Sequence, residues 1–265
     1  MIGVDVGIST TVAVDTHNLE VKKSIISPSK RGVASRLLGI VYDGRGEVAV
    51  TGAGAMAERE SLNRICEPAF IDEIGAIGIG GSKLFGLKRC IVVSMGTGTA
   101  IVYVNGKKCE HLGGTGVGGG TILGLGRRLL DTYDPEEIAK LSEQGTLKKV
   151  NLTVGDIYGS GIGIVPADAT ASNFEKKGRC SKSDNALGIL NLVGETVGVL
   201  ACFAAREKKT KDIVFVGTVP TMQVVADVLR RTTGMFGFGC RIPGEPAAAV
   251  ALGAVLCFEY NIYIK

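Results

Sequence analysis

Asp5 closes the apolar run Ile2-Gly3-Val4 and opens a turn of glycine and hydroxyl residues, Gly7-Ile8-Ser9-Thr10. An acid at the end of a buried strand is costly unless something offsets its charge. A Mg²⁺ ion carried on nucleotide phosphates would do so, because Mg²⁺ takes one or two carboxylates together with phosphate oxygens and water. Ser9, Thr10 and Thr11 add hydroxyl and N–H donors at the same tip. An ordinary turn aspartate is the competing reading. An echo later in the chain favours phosphate. Ile91-Val92-Val93 and Thr99-Ala100-Ile101 flank Gly96-Thr97-Gly98, again strand, Gly/Thr turn, strand. Two such hairpins facing each other across a cleft would suit ATP and Mg²⁺, with Asp5 as the metal ligand.

A third glycine cluster runs from Gly113 to Thr121 and leads into a helical pattern through Leu130. Helix N-termini present free N–H groups and a positive partial charge, which suits phosphate. Gly118, Gly119 and Gly120 exceed what a cap needs, although a plain turn capped by Thr121 is the alternative. There is no G-x-x-x-x-G-K-[ST] loop. The G-x-G-x-x-G at Gly114, Gly116 and Gly119 follows a hairpin rather than a βαβ strand, so a dinucleotide site is not expected.

The acid pair Asp72-Glu73 lies between Phe70-Ile71 and Ile74-Gly75-Ala76. Asp72 is placed to cap a helix. Glu73 would then be half-buried, where desolvation raises a carboxyl pKa toward the range of a general base. His111 directly precedes the glycine run, whereas His17 lies in a polar turn and reads as solvated.

The elements that must hold these residues alternate. Strand patterns occur at 47–51, 91–104 and 213–217, and helical patterns at 55–64, 72–84, 185–208, 221–232 and 246–258. In 185–208, Leu187, Leu190, Val193, Val197, Leu200 and Ala204 recur at helical spacing. Alternation of this kind argues for an α/β fold, divided into lobes 1–88 and 89–265. Hydrophobic residues make up 45% and charged residues 21%, enough core for two lobes. A net charge of +4 without clustering, and aromatics at only 5%, argue against a nucleic-acid surface. No leader pattern and no span-length apolar run is read, so a cytoplasmic protein without a membrane partner is expected. The 7 Cys are dispersed, without C-x-x-C, which fits reduced thiols.

The order of these motifs, with Asp156-Ile157-Tyr158-Gly159, Ala169-Thr170-Ala171-Ser172-Asn173-Phe174 and Val214-Phe215-Val216-Gly217-Thr218, resembles the type II pantothenate kinases. That group includes the eukaryotic and staphylococcal enzymes and belongs to the acetate-kinase, sugar-kinase and actin superfamily. The resemblance covers nearly the whole chain and is most specific over 94–125. It implies a two-lobed actin-like, ribonuclease H-like ATPase fold with a nucleotide cleft between lobes. It implies a homodimer and ATP-dependent phosphorylation of the pantothenate hydroxyl in coenzyme A biosynthesis. By position it implies Glu73 as the catalytic acid, and Asp5, Gly7, Ile8, Ser9 and Thr10 as the first phosphate hairpin. Thr97 and Gly98 fall on the second hairpin, Gly118 to Thr121 on the nucleotide loop, and Gly217 and Thr218 on the nucleotide side. Glu73, Thr97, His111 and Gly113 fall on the acceptor pocket. Three positions depart from the pattern. Val12 stands where a lysine is usual, His111 where a substrate-binding arginine is usual, and Gly75 where a second acid is usual. A kinase of another small alcohol, or an activator ATPase like those whose hairpin Ile8-Ser9-Thr10-Thr11 is similar to, are the alternatives. Such activators often pair cysteines around an iron–sulfur cluster, which the dispersed Cys here do not favour.

Overall fold

Strand β1 (Ile2–Val6) has two faces with different tasks. Ile2, Val4 and Val6 point into one core, with Val33, Ala34, Leu37 and Leu38 of helix α1 (Val33–Val41). Gly3 and Asp5 point to the opposite face, as the two-residue period of a strand requires. The computed structural model describes residues 1–262. In it β1 pairs antiparallel with β2 (Thr10–His17), which pairs antiparallel with β3 (Glu20–Pro28). On its other side β1 pairs parallel with β4 (Val48–Thr51), and β4 with β5 (Ala69–Phe70). The short helix α2 (Arg59–Asn63) lies between β4 and β5 in the chain.

Helix α3 (Glu73–Lys83) links this sheet to the next. Strands β6 (Arg89–Met95), β7 (Thr99–Asn105) and β8 (Lys108–Thr115) form an antiparallel meander. Helices α4 (Gly119–Leu129) and α5 (Pro135–Ser142) follow. A small two-stranded element, β9 (Leu152–Thr153) with β10 (Thr170–Ser172), brackets α6 (Val154–Tyr158). The long helix α7 (Lys182–Glu207) leads to β11 (Asp212–Val216), α8 (Gln223–Met235), β12 (Gly239–Arg241) and α9 (Ala249–Glu259). The second sheet has the order β12-β11-β6-β7-β8, with β11 parallel to both β6 and β12. The two sheets therefore share one topology: three antiparallel strands and two parallel ones. The repeated hairpin in the sequence is the visible end of that repeat.

Sequence expectation and structure differ at two points. Gly113, Gly114 and Thr115 belong to β8 rather than to a turn. Pairing with β7 overrides their weak strand preference, as tertiary context can. Helix α7 is long and apolar enough, by length and composition, to cross a membrane, contrary to the sequence reading. Most of that apolar stretch is buried within the fold, as in the core helix of a globular domain.

The lobes meet through two helices exchanged across the divide. Helix α3 packs on β6, β7, β8 and β11, while α9 returns from the chain end to pack on β1, β2 and β4. Helix α3 is a poor intrinsic helix former because of Gly75, Gly78, Gly80 and Gly81. Packing explains three of them. A Cβ at Gly78 would stand 2.5 Å from Cys109 Sγ, and one at Gly81 2.5 Å from Val92 Cγ1. A Cβ at Gly80 would stand 2.1 Å from the Ala249 carbonyl oxygen of α9, and one at Gly253 of α9 1.9 Å from that of Ala76. The helices thus touch backbone to backbone. Gly253→Ala should cost about 1–3 kcal/mol, as overpacking does in a dense core. Denaturant unfolding checks it, and an unchanged midpoint would show that the crossing can loosen.

Candidate active site

The two Gly/Thr hairpins meet tip to tip. Thr97 Oγ1 donates to Ser9 Oγ at 2.7 Å, which joins the loop between β1 and β2 to the loop between β6 and β7. Each loop is tightened from within. Gly7 N donates to Thr10 O, and Gly96 N donates to Gly98 O. The first is also braced from outside. Ser29 Oγ donates to Gly7 O at 2.7 Å and shares a hydrogen bond with Thr11 Oγ1, while Ser29 N donates to Ser9 O. Among the described residues the N–H groups of Ile8, Ser9, Thr97 and Gly98 have no acceptor. Four free amides and the Ser9 hydroxyl, whose own proton is uncommitted, form a neutral set of donors for an oxyanion.

The glycine-rich entry to α4 has a different role from the one its sequence suggests. Gly119 N donates to Gly96 O at 2.7 Å and Gly120 N to Thr97 O at 2.8 Å. Gly118 N donates to Thr121 Oγ1, whose hydroxyl donates to Gly116 O. These amides are occupied. A Cβ on Gly118 would stand 2.8 Å from the Gly98 and Thr97 carbonyl oxygens, and on Gly119 2.9 Å from Gly96 O. The glycines let α4 dock on the second hairpin and fix its shape. Gly217, at φ +97°, closes the same edge. Its N–H donates to Pro246 O, and a Cβ there would stand 2.5 Å from Met95 O. Thr218 follows it, with its carbonyl accepting from Thr221 Oγ1, and Val219 packs toward Gly119.

Asp5 and Glu73 lie near enough to each other for the Glu73 charge to act on Asp5. Asp5 is only partly accessible, and burial raises its carboxyl pKa to about 7, with the charge of Glu73 adding to the rise. It has no ion pair and no side-chain hydrogen bond among the described residues. Asp72 caps α3 by accepting from Gly75 N at 2.8 Å. This leaves Glu73 half-buried in the first turn. Burial raises the Glu73 pKa, the Asp72 charge raises it further, and His111 acts in the opposite direction. His111 is exposed on β8 beside a bulge, where Ile101 pairs with Gly113 and Val102 with His111. Gly113 takes φ +130° there, a backbone that only glycine adopts readily.

Sequence reasoning missed the end of β4. Gly52, at φ +98°, lies against Asp5: a Cβ there would stand 2.4 Å from Asp5 Oδ1. Gly54 N donates to Val6 O at 2.8 Å. The signal was present, since Val48-Ala49-Val50 followed by Thr51-Gly52-Ala53-Gly54 is a third apolar strand ending in Gly and Thr. Among the described residues no group of three or more His, Cys, Asp or Glu could hold a metal on its own. The described cysteines are free thiols; Cys90, Cys202 and Cys257 are buried, but Cys180 is exposed.

The family model for Fumble matches residues 71–233, which takes in Glu73, the second hairpin and the glycine run. The chain belongs to the Fumble family. Its resemblance to type II pantothenate kinases, read from the motifs, is borne out by curated relatives bearing that name. It is 33% identical over 184 residues to the type II pantothenate kinase of Bacillus cereus, an alignment covering 66% of this chain and 67% of that one. It is 31% identical over 175 residues to that of Staphylococcus epidermidis, covering 64% and 66%. A second Bacillus cereus relative matches at 38% over 50% of each chain. The chain thus spans between half and two thirds of the relatives it matches. The fold is the two-lobed actin-like one. Component A of the Acidaminococcus fermentans (R)-2-hydroxyglutaryl-CoA dehydratase superposes with a TM-score of 0.66 at 16% identity, covering 97% and 96% of the two chains. A ROK-family glucokinase from Streptomyces griseus, in complex with glucose and AMPPNP, superposes with a TM-score of 0.64 at 11% identity, covering 96% and 97%.

The raised Asp5 pKa has a consequence for stability. Its folded value is about 7, against about 3.9 for an unfolded aspartate. The folded state therefore holds an extra proton between those values, and stability falls as pH rises through that window. Without nucleotide, Asp5→Asn should match wild type near the acidic end and gain a Tm advantage that grows until about pH 7 and then levels off. Thermal unfolding across that pH range tests it, and a pH-independent difference would mean that Asp5 titrates normally.

Proposed function

We propose that this protein transfers the terminal phosphoryl group of Mg²⁺·ATP to the hydroxyl of pantothenate, a step in coenzyme A biosynthesis. The observation that carries this reading is the 2.7 Å contact between Thr97 and Ser9, which joins two hairpin tips whose loop amides are free among the described residues. The curated relatives that bear the pantothenate kinase name support the choice of acceptor.

The roles are those that the resemblance implies by position. Glu73, half-buried with its pKa raised, accepts the proton of the acceptor hydroxyl. The hydroxyl oxygen attacks phosphorus, the bond to the ADP oxygen breaks, and ADP leaves with its charge. The amides of Ile8, Ser9, Thr97 and Gly98 hold the phosphate oxygens in line, since phosphoryl transfer is mostly positioning and electrostatics. Thr121, Gly217 and Thr218 line the nucleotide side, and Thr97, His111 and Gly113 the acceptor side. Asp5 fits a Mg²⁺ role because it is a desolvated carboxylate with no ion-pair partner among the described residues. The ion would supply charge that stabilises the transferring phosphoryl group. Lobes 1–88 and 89–265 close on the substrates and exclude water.

The reading extends to the assembly. Ile157, Tyr158, Ile162 and Ile164 are exposed on one stretch of chain, which supports a homodimer buried through that stretch. The cytoplasm is the expected compartment.

Mg²⁺·ATP at ~100 times its Kd should stabilise the fold by about 2.7 kcal/mol. Glu73→Gln should keep that shift and lower kcat by roughly 10²–10⁴-fold. ADP release assayed against pantothenate and a panel of small alcohols separates the acceptors. Turnover without any acceptor would favour an activator ATPase instead.

The acceptor pocket makes its own forecast. An arginine binds a carboxylate through a permanently charged fork, whereas a histidine offers at most two donors. If the rest of the pocket suits pantothenate, His111→Arg should raise kcat/KM for it roughly ten- to a hundred-fold. No gain, with a wild-type kcat/KM of ~10⁵ M⁻¹s⁻¹ or more, would mean that another residue already fills the role.

A further inference from the structure

Thr51 ends β4 directly opposite Asp5. The parallel register pairs Asp5 with Thr51, so both side chains leave the same face of the sheet. Gly52, next in the chain, already lies against Asp5 Oδ1. Thr51 is 1% exposed, yet its Oγ1 has no hydrogen-bond partner, a state shared among the described residues only with Ser35 Oγ. Buried hydroxyls are nearly always satisfied, and one that is not calls for an explanation. The neighbouring end of β1 carries Asp5, a carboxylate with no hydrogen bond or ion pair among the described residues. An unmatched donor and an unmatched acceptor thus face each other one strand apart.

We propose that Thr51 is a positioning residue for Asp5: its hydroxyl turns to donate to one carboxylate oxygen once the other engages a cation. The inference rests on the kinase reading, in which Asp5 faces Mg²⁺. A carboxylate that receives a hydrogen bond on one oxygen is held in one orientation, so the other oxygen is presented to the cation with less freedom to lose. Supporting contacts of this kind around ligating carboxylates commonly tune affinity tenfold or more.

Two substitutions separate this role from packing. Thr51→Val keeps the shape and removes the hydroxyl, while Thr51→Ser keeps the hydroxyl and removes a methyl group. Calorimetric titration of ATP with Mg²⁺, and again with EDTA, is the readout, alongside the Tm of the ligand-free protein. Thr51→Val should weaken Mg²⁺·ATP binding about tenfold, leave metal-free ATP binding unchanged, and leave the ligand-free Tm equal or higher, because the lost hydroxyl had no partner. Thr51→Ser should bind Mg²⁺·ATP like wild type despite a lower Tm. In an Asp5→Asn background, Thr51→Val should add nothing. Wild-type affinity in Thr51→Val, or equal losses in Thr51→Val and Thr51→Ser, would overturn the proposal. Absence of Mg²⁺-dependent binding in the wild type would instead sink the kinase reading and this role with it.

Discussion

The close crossing of α3 and α9 fixes everything else in the cleft. Gly80 against Ala249 and Gly253 against Ala76 bring two helix backbones to a separation that no side chain could share. Each helix then lies on the sheet of the other half of the chain. The crossing sets the distance between the two sheets, and so the distance between their hairpin tips. It also places the first turn of α3, where the Asp72 cap fixes the helix start and leaves Glu73 near enough for its charge to act on Asp5. A helix with four glycines would be marginal alone. Here low propensity is the cost of an approach that only glycine permits.

Much of the frame was legible in the sequence because it is written in β-branched runs. Ile91-Val92-Val93 and Ile213-Val214-Phe215-Val216 could hardly be other than buried strands, and Asp72 before an apolar helix is a cap with a clear mechanism. What escaped is polar or held by partners. Strand β3 carries Lys22 and Lys23 and is mostly exposed at the sheet edge, so its alternation is weak. Strand β8 carries Gly113 and Gly114 just before its last residue and owes its form to β7. The exchange of α3 and α9 between sheets has no local signature at all, because it depends on contacts separated by most of the chain.

The glycine run shows how a correct local observation can support the wrong physical cause. Glycine in excess of capping needs does signal close approach, and helix starts do offer amides. Yet the closest approach is made by the carbonyls of Gly96, Thr97 and Gly98, which take up the amides of Gly119 and Gly120. The free donors are displaced to the hairpins themselves. The run contributes by holding the second hairpin rigid, with the α4 dipole behind it, rather than by direct contact through those amides.

Charge completes the argument. Where a lysine is usual in the resembling kinases, Val12 is 2% exposed and packs with Val14, Ala248 and Ala251 beneath α9. That position points into the core between β2 and α9, so this chain has used it for packing, and no ammonium reaches the first hairpin from there. The donors that remain at the tips are amides and hydroxyls, which orient phosphate oxygens without neutralising them. Beside them burial raises the cost of ionising both Asp5 and Glu73, with the Glu73 charge adding to it at Asp5 and the Asp72 charge at Glu73. A polyphosphate entering such a site adds negative charge to a place that already resists it. Backbone dipoles alone are a weak offset for several formal charges at close range. In the proposed kinase reading the balance would fall on a cation brought in with the ligand and on Asp5 as the carboxylate to meet it. On that reading the strand ends around Asp5, rather than the glycine-rich loop, would be the part of the fold on which binding of a polyphosphate turns.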